Sequence, residues 1–465
     1  MSSKNVVGRN MQDNLSRSLK SPVMPFGEFL PALFRALDKE CVRYCVLRNY
    51  EDFPTNNIGR DVDLLIHPFD LPGVNRALRS IQGIRIVGFT GRHYVASFFL
   101  AGVSAAYQAR ALQLDFDLSL TWKGLPYLPT DAVLKAVIPR HAGNTTFFVA
   151  SPVHEAIISL LASLLVGGWL KEKYLPQIRQ TFTDHSSEVI AILLPYFGLK
   201  SATQLVDSVT VCDRTRILGC VRSLRVSLAL RNLLYKPIHS VLAIARHYGG
   251  ELAIRYSPKM LHTICIFGLD VTDNTAIIDD LTPMLQSTAV VVEKRHLMPA
   301  LSLGRQSRDI PPSTDIFEDA PRGWLASMTI ATLLLIQEWM TQLAENVNLT
   351  LRIYDGCHHE LSFNPKKYRY GGPKWFTRLI GKIFPSPDLW ILLDDPANEL
   401  QSSSQEFLST EKLRLRDAYR FFVKARKRYI ILDTGRPTAS VAEEAYAAII
   451  DTLELCTERQ LKSRF

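Results

Sequence analysis

Asp61 and Asp63 alternate in Gly59-Arg60-Asp61-Val62-Asp63-Leu64-Leu65-Ile66, a run that reads as a strand entered through a glycine turn. Residues two apart on a strand point to the same face, so the pair presents two carboxylates side by side. Paired carboxylate oxygens are the donors that hard cations take. A third acid, Asp115, sits in a later apolar run, Leu112-Gln113-Leu114-Asp115-Phe116-Asp117. If the two strands pair, three acids converge and could hold Mg²⁺ on a nucleoside triphosphate. There the ion neutralises phosphate charge and orients in-line attack. The competing reading is a turn-flanked surface strand whose aspartates are simply solvated.

The surrounding elements can be read from periodicity. Residues 1–24 are polar and Ser/Asn-rich and read as a disordered tail. Phe29, Leu30, Leu33, Phe34 and Leu37 recur at helical spacing and predict a helix over Phe26–Lys39. Tyr44–Leu47 reads as a strand ending in Arg48-Asn49-Tyr50, and a Pro/Asn/Gly loop then leads into the Asp61/Asp63 strand. A helix over Pro72–Ile81 and strands near Arg85–Phe89, Tyr94–Leu100 and Leu112–Leu120 complete a mixed α/β unit over 25–150. Residues 151–256 read as helical, with Arg222, Arg225 and Arg231 on one helix, either as a solvated face or in reach of phosphates.

Val46-Leu47-Arg48-Asn49-Tyr50, the Gly59-to-Asp63 strand, and Leu114-Asp115 running on to Trp122-Lys123-Gly124 resemble the nucleotidyltransferase fold. More narrowly, they resemble an uncharacterised nucleotidyltransferase family often associated with bacterial surface-polysaccharide loci. The resemblance spans about residues 26–180 and implies Asp61, Asp63 and Asp115 as metal ligands, with Asp115 rather than Asp117 as the third acid. It implies Mg²⁺, an NTP and a hydroxyl, sugar-phosphate or polyol-phosphate acceptor, with Gly59 and Arg60 beside the phosphates. The wider superfamily has Gly-Ser before its acids; here the pair is Gly59-Arg60, and Arg60 would meet phosphate as a charged donor.

From Leu261 a second pattern begins. Buried-type strands at His262–Phe267, Ala289–Glu293, Leu349–Tyr354, Leu389–Leu393 and Tyr429–Leu432 alternate with helices. That predicts a doubly wound parallel sheet over 257–465. Arg295-His296-Leu297-Met298-Pro299, Tyr354-Asp355-Gly356, the Asn364-to-Pro373 segment and Pro387-to-Asp394 resemble, in order, the thymidylate-kinase-like branch of P-loop kinases. The expected phosphate loop, Gly268 to Thr275, departs from that family. Val271 and Asp273 stand at glycine positions, Asn274 at the lysine, and the lid reads Ser402-Ser403-Ser404-Gln405-Glu406. Glycines let backbone amides cradle phosphate and the lysine neutralises it, so their loss predicts a degenerate kinase fold. Lys366, Lys367 and Arg369 are the remaining anion-binding candidates, or else a basic surface turn. His358-His359-Glu360 lacks helical zinc-motif spacing and reads as a loop.

At 465 residues the chain exceeds one core, and its 47% hydrophobic and 21% charged content is that of a globular protein. A net charge of +9 suits phosphate-bearing small molecules. The basic residues are dispersed, which argues against a nucleic-acid groove. Seven scattered cysteines form no CxxC pair, so a reducing cytoplasm is the expected compartment, and no signal peptide is read at the N-terminus. Val153–Leu170 and Trp324–Met340 are apolar but interrupted by polar residues, and read as buried helices with peripheral membrane contact as the alternative. The leading expectation is Mg²⁺-dependent nucleotidyl transfer. The alternatives are a non-catalytic scaffold or binding protein with both domains degenerate, and a small-molecule kinase in the C-terminal half.

Overall fold

The computed structural model describes residues 24–54, 61–104, 111–255, 261–269, 271–286, 291–296, 321–344, 350–395 and 406–464. The tail expected over 1–24 lies outside the described residues up to position 23. The chain forms two compact units, one over Pro22–Ile254 with Thr457–Phe465, the other over Arg255–Cys456. Both are α/β, the first around a mixed sheet and the second around a parallel one.

The first unit opens with α1 (Phe26–Lys39), β1 (Tyr44–Val46), β2 (Asp61–Ile66), α2 (Leu71–Ser80), β3 (Arg85–Gly91), β4 (Val95–Ala101), β5 (Ala111–Asp117), β6 (Ile138–Ala142) and β7 (Thr145–Val149). The strands form one sheet in the order β6-β7-β1-β2-β5-β4-β3. β2 runs parallel to β5 and antiparallel to β1. The β6–β7 hairpin is absent from the sequence reading because β6 is exposed along nearly its whole length and shows no apolar alternation.

The sheet has two different faces. Val62, Leu64, Ile66, Leu114 and Phe116 share an apolar core with Phe29, Leu33, Phe34 and Leu37 of α1 and with Val74 and Leu78 of α2. Cys45, Leu47 and Leu65 face the other way, into a layer built from α3 (Pro152–Leu161), α4 (Leu175–Asp184), α5 (Ser186–Thr210) and α6 (Arg214–Tyr235). A fully buried leucine stabilises by about 1.5–3 kcal/mol, and slipping β2 by one residue would turn its apolar set outward. The register that buries Val62, Leu64 and Ile66 therefore holds Asp61 and Asp63 on the helical side.

α5 has the length and composition of a membrane-crossing helix, and Pro152–Gly167 and Trp324–Met340 are shorter apolar helices. In α5 the helical geometry breaks at Gly198 (φ 76°), shortly after Pro195. Its buried Val189, Leu193, Phe197, Leu205 and Val209 pack in the helical core. α7 (Pro237–Arg255) follows.

The second unit comprises β8 (Leu261–Gly268), α8 (Val271–Gln286), β9 (Val291–His296), α9 (Trp324–Ala344), β10 (Thr350–Asp355), α10 (Lys374–Ile383), β11 (Leu389–Asp394), α11 (Glu406–Lys424), β12 (Tyr429–Asp433) and most of α12 (Thr438–Lys462). The expected boundary of 257–465 differs at its far end, because the residues from Thr457 onward group with the first unit. The sheet order is β9-β10-β8-β11-β12, with every pair parallel. β11 is buried along its length and β8 nearly so, as expected of central strands covered on both faces. One local expectation changes. α8 starts at Val271, inside the stretch from Gly268 to Thr275 where a phosphate loop was expected.

Candidate functional site

The parallel pairing of β2 with β5 sets Asp63 opposite Asp115, with Asp61 opposite Gln113 and Leu65 opposite Asp117. On β5's other edge Ser97 of β4 lies opposite Asp115. One carboxylate oxygen from each of Asp61, Asp63 and Asp115 lies within 4.8 Å of the others. Asp61 is the most open of the three, and Asp63 is buried. Gly59 and Arg60 lie outside the described residues.

Each acid has a distinct environment. Arg48, just beyond β1, donates its Nε to Asp63 Oδ2 at 2.5 Å. The Leu47 amide donates to the Asp63 carbonyl at 3.1 Å, fixing the turn that carries Arg48. Gln113 Nε2 donates to both Asp115 oxygens, at 3.0 and 3.1 Å. Burial raises the Asp115 carboxyl above its ordinary value. Hydrogen bonds from Gln113 and Ser97 pull it back, and the Asp63 and Asp61 charges push it further up. Asp117 is pushed to about 7, by burial first and then by the Asp63 and Asp115 carboxylates, against the pull of Arg48.

The helical layer adds a second cation. Beyond α3, a π-helical turn over Ala162–Gly167 ends on Gly168 in the left-handed region (φ 68°), and the chain continues through Trp169 to Lys171. Burial and the Arg48 charge lower the Lys171 ammonium, while Asp63 and Asp61 pull it up. Lys171 Nζ also stacks over the Trp169 ring at 5.5 Å. Tyr174 OH donates to Asn49 Oδ1 at 2.8 Å, and Lys173 Nζ approaches the same atom at 3.3 Å, tying the helical segment to the turn after Arg48. The arginines of α6 have structural roles where they are seen to bond. Arg225 donates to the Leu165 carbonyl at 2.8 Å, and Arg231 to the Pro195 carbonyl at 3.0 Å.

Sequence reasoning assigns no role to Arg48, Asp117 or Lys171. Asp117 is legible in kind, since it shares Asp115's face by strand period. Arg48 is visible only as the end of a strand. Lys171 carries no signal, because nothing local ties it to β2.

The basic turn of the second unit is arranged differently from the expectation of an anion-binding loop. Lys367 Nζ is 3.0 Å from Oε1 of Glu360, a fully buried carboxylate. Glu360 also accepts from the hydroxyls of Tyr368 and Tyr419 and, at 2.9 Å, from the Cys357 amide. Lys367 is therefore engaged inside the fold, while Lys366 is exposed and Arg369 half-buried in the left-handed region (φ 51°). His358 and His359 are pressed among Phe384, Trp390 and Phe422, and burial holds both imidazoles low, His359 at about 4. Asn274 is fully buried in the first turns of α8; the side chains at 271–273 and the segment 402–405 lie outside the described residues.

No protein-family model matches the chain, and no curated protein matches it. Among solved structures, a thymidylate kinase from Ehrlichia chaffeensis is similar at 14% identity and a TM-score of 0.26, over 43% of this chain and 98% of that one. A likeness this weak establishes no shared fold.

Proposed function

We propose that the first unit is a Mg²⁺-dependent nucleotidyltransferase that moves a nucleotidyl group from an NTP to a hydroxyl or phosphate acceptor. The observation that carries this reading is the convergence of Asp61, Asp63 and Asp115 on one sheet face, with their oxygens within 4.8 Å. The donor set is all oxygen, which suits Mg²⁺ or Mn²⁺ over softer metals. Burial first, and then the neighbouring carboxylates, raise the Asp115 and Asp117 carboxyls, and a divalent cation would offset the repulsive part. When bound, the ion would neutralise triphosphate charge and favour in-line attack.

The chain's own residues supply the rest. Arg48 holds the Asp63 carboxylate in place by its 2.5 Å contact. Lys171, near Asp61 and Asp63, brings positive charge from the helical layer toward an arriving triphosphate. Asp115, level with Asp63 on the same face, is the candidate base for the acceptor hydroxyl. In the reaction the acceptor oxygen bonds to the α-phosphorus, the bond from that phosphorus to the bridging oxygen breaks, and pyrophosphate leaves. A sugar, sugar-phosphate or polyol-phosphate acceptor of bacterial surface-polysaccharide synthesis, in the cytoplasm, is the context proposed for it.

For the second unit we propose a P-loop-kinase-like fold that has lost phosphate transfer. The residues at 271–274 favour this reading, since Val271 and Asp273 stand where glycines and Asn274 where a lysine would serve a phosphate, and Asn274 is fully buried. A scaffold role for that unit is the corresponding second reading.

The test is pyrophosphate release from each NTP in the presence of pooled sugar, sugar-phosphate and polyol-phosphate acceptors. Activity should require Mg²⁺, and Asp61→Asn should lower it about 100-fold or more while shifting the melting temperature little. Mg²⁺ should also raise the melting temperature of the native chain and not that of Asp61→Asn. Full activity in Asp61→Asn would remove the metal assignment.

A further inference from the structure

A second cluster of reactive groups lies in the second unit, at the end of its sheet where the parallel strands begin. His262 is at the start of β8, Asp388 immediately precedes β11, Arg428 immediately precedes β12, and Cys456 is on α12. Ligand-type atoms of His262, Asp388 and Cys456 all lie within 4.8 Å of one another. Arg428 Nη1 is 2.9 Å from Cys456 Sγ. Asp388 Oδ2 is 3.4 Å from His262 Nδ1 and accepts from the Thr263 amide at 3.1 Å, which holds the carboxylate in place.

Three features set this cluster apart from ordinary packing. His262 is 7% exposed, and its Nδ1 has no aligned hydrogen-bond partner despite facing the acid and the thiol. Cys456 is half-buried, not sealed in the core as Cys265 and Cys357 are. The group also sets two side chains that can carry negative charge, Cys456 and Asp388, against two that can carry positive charge, His262 and Arg428.

We propose that Cys456 is a nucleophilic thiolate, held by Arg428 beside the His262 imidazole and the Asp388 carboxylate, and a modification site for hydroperoxides and other soft electrophiles.

The electrostatics agree with the geometry. Burial opposes both charges. His262 and Arg428 nevertheless bring the Cys456 thiol below its ordinary value, against the upward push of the Asp388 charge, and Asp388 and Cys456 raise His262 to about 9. The thiolate is the reactive form of cysteine, and partly exposed electropositive surroundings mark the reactive ones. With a hydroperoxide, a sulfur lone pair attacks the terminal oxygen and the O–O bond breaks. The leaving hydroxide or alkoxide takes the proton of the His262 imidazolium. Sulfur is oxidised by two electrons to the sulfenic acid, and the peroxide is reduced to water or an alcohol. A low-molecular-weight thiol can then capture the sulfenic acid as a mixed disulfide.

The experiment uses the full chain and reads each cysteine by mass spectrometry after limited iodoacetamide treatment from pH 5 to 9. Cys41, exposed, and Cys212, half-buried, serve as internal references. Near pH 6.5 an ordinary thiol is only about 1% thiolate, so Cys456 should alkylate roughly tenfold faster than either reference, after allowance for the lower nucleophilicity of a more acidic thiol. Its pH midpoint should lie below theirs. Hydrogen peroxide followed by a sulfenic-acid-specific dione should label Cys456 first. Arg428→Gln should move the Cys456 midpoint upward, with its melting temperature showing that the fold survives. A Cys456 profile that superimposes on that of Cys41 would overturn the proposal. So would protection of Cys456 that a chelator lifts, which would make the cluster a metal site. If that variant unfolds, the native chain's comparison of Cys456 with Cys41 and Cys212 decides alone.

Discussion

Asp117→Asn is expected to stabilise the first unit at pH 8, in EDTA, by about 2–4 kcal/mol, and to change its stability little at pH 4. The folded-state carboxyl titrates near 7, well above the ordinary aspartate value of 3.8. A raised acid contributes stability that is fully present below about 3.8, where both states are protonated. That contribution is lost as pH rises through the folded-state value near 7. Each tenfold gain in proton affinity corresponds to about 1.36 kcal/mol, so the cost above pH 7 approaches about 4 kcal/mol, and the partial exposure of Asp117 lowers it. Asparagine has no charge to bury beside Asp63 and Asp115, so it escapes the cost. Urea unfolding at the two pH values measures this directly. A stability difference that is the same at pH 4 and pH 8 would show that Asp117 does not carry the repulsion of the acidic face.

Glu360→Ala is expected to destabilise the second unit by about 3–5 kcal/mol. The carboxylate is fully buried and accepts from Tyr368, Tyr419, Lys367 and the Cys357 amide. Burial and then the Glu360 charge raise both phenols, so they remain protonated donors through the range of ordinary buffers. Removing the acid leaves two hydroxyls, an amide and a largely covered ammonium without their acceptor, and each lost partner carries a desolvation cost. The shift in urea midpoint at unchanged m-value reports the loss. A loss under about 1 kcal/mol would mean that the network rearranges around water. Lys367→Met should lose less than Glu360→Ala, because the lysine is partly exposed and the phenols keep their acceptor.

Local pattern is informative for some of these residues and silent for others. The strand period alone puts Asp61 and Asp63 on one face. The apolar run around Asp115 marks a second strand that could bring it alongside. Pairing partners are harder to read. Lys367 looks like a free cation in a basic turn, and its acid, Glu360, looks like part of an unremarkable His-His-Glu loop. Their contact depends on the turn over 366–368 folding back toward the start of that loop, and no spacing rule specifies this. The helix start at Val271 is hidden for a related reason. Gly268 and the polar residues after it suggest a loop, whereas the structure carries helix α8 through them from Val271.

By itself, the sequence determined the secondary-structure rhythm, the division into a mixed and a parallel α/β pattern, and the side of β2 on which its acids stand. It could do so because those properties follow from apolar periodicity over a few consecutive residues. Only the tertiary structure decided that Asp115 lies level with Asp63, that Arg48 bonds to Asp63, and that Cys456 meets His262, Asp388 and Arg428. Each of those meetings joins residues far apart in the chain through strand register and helix docking. Their energies come from burial and charge in three dimensions, and no local window of sequence contains them.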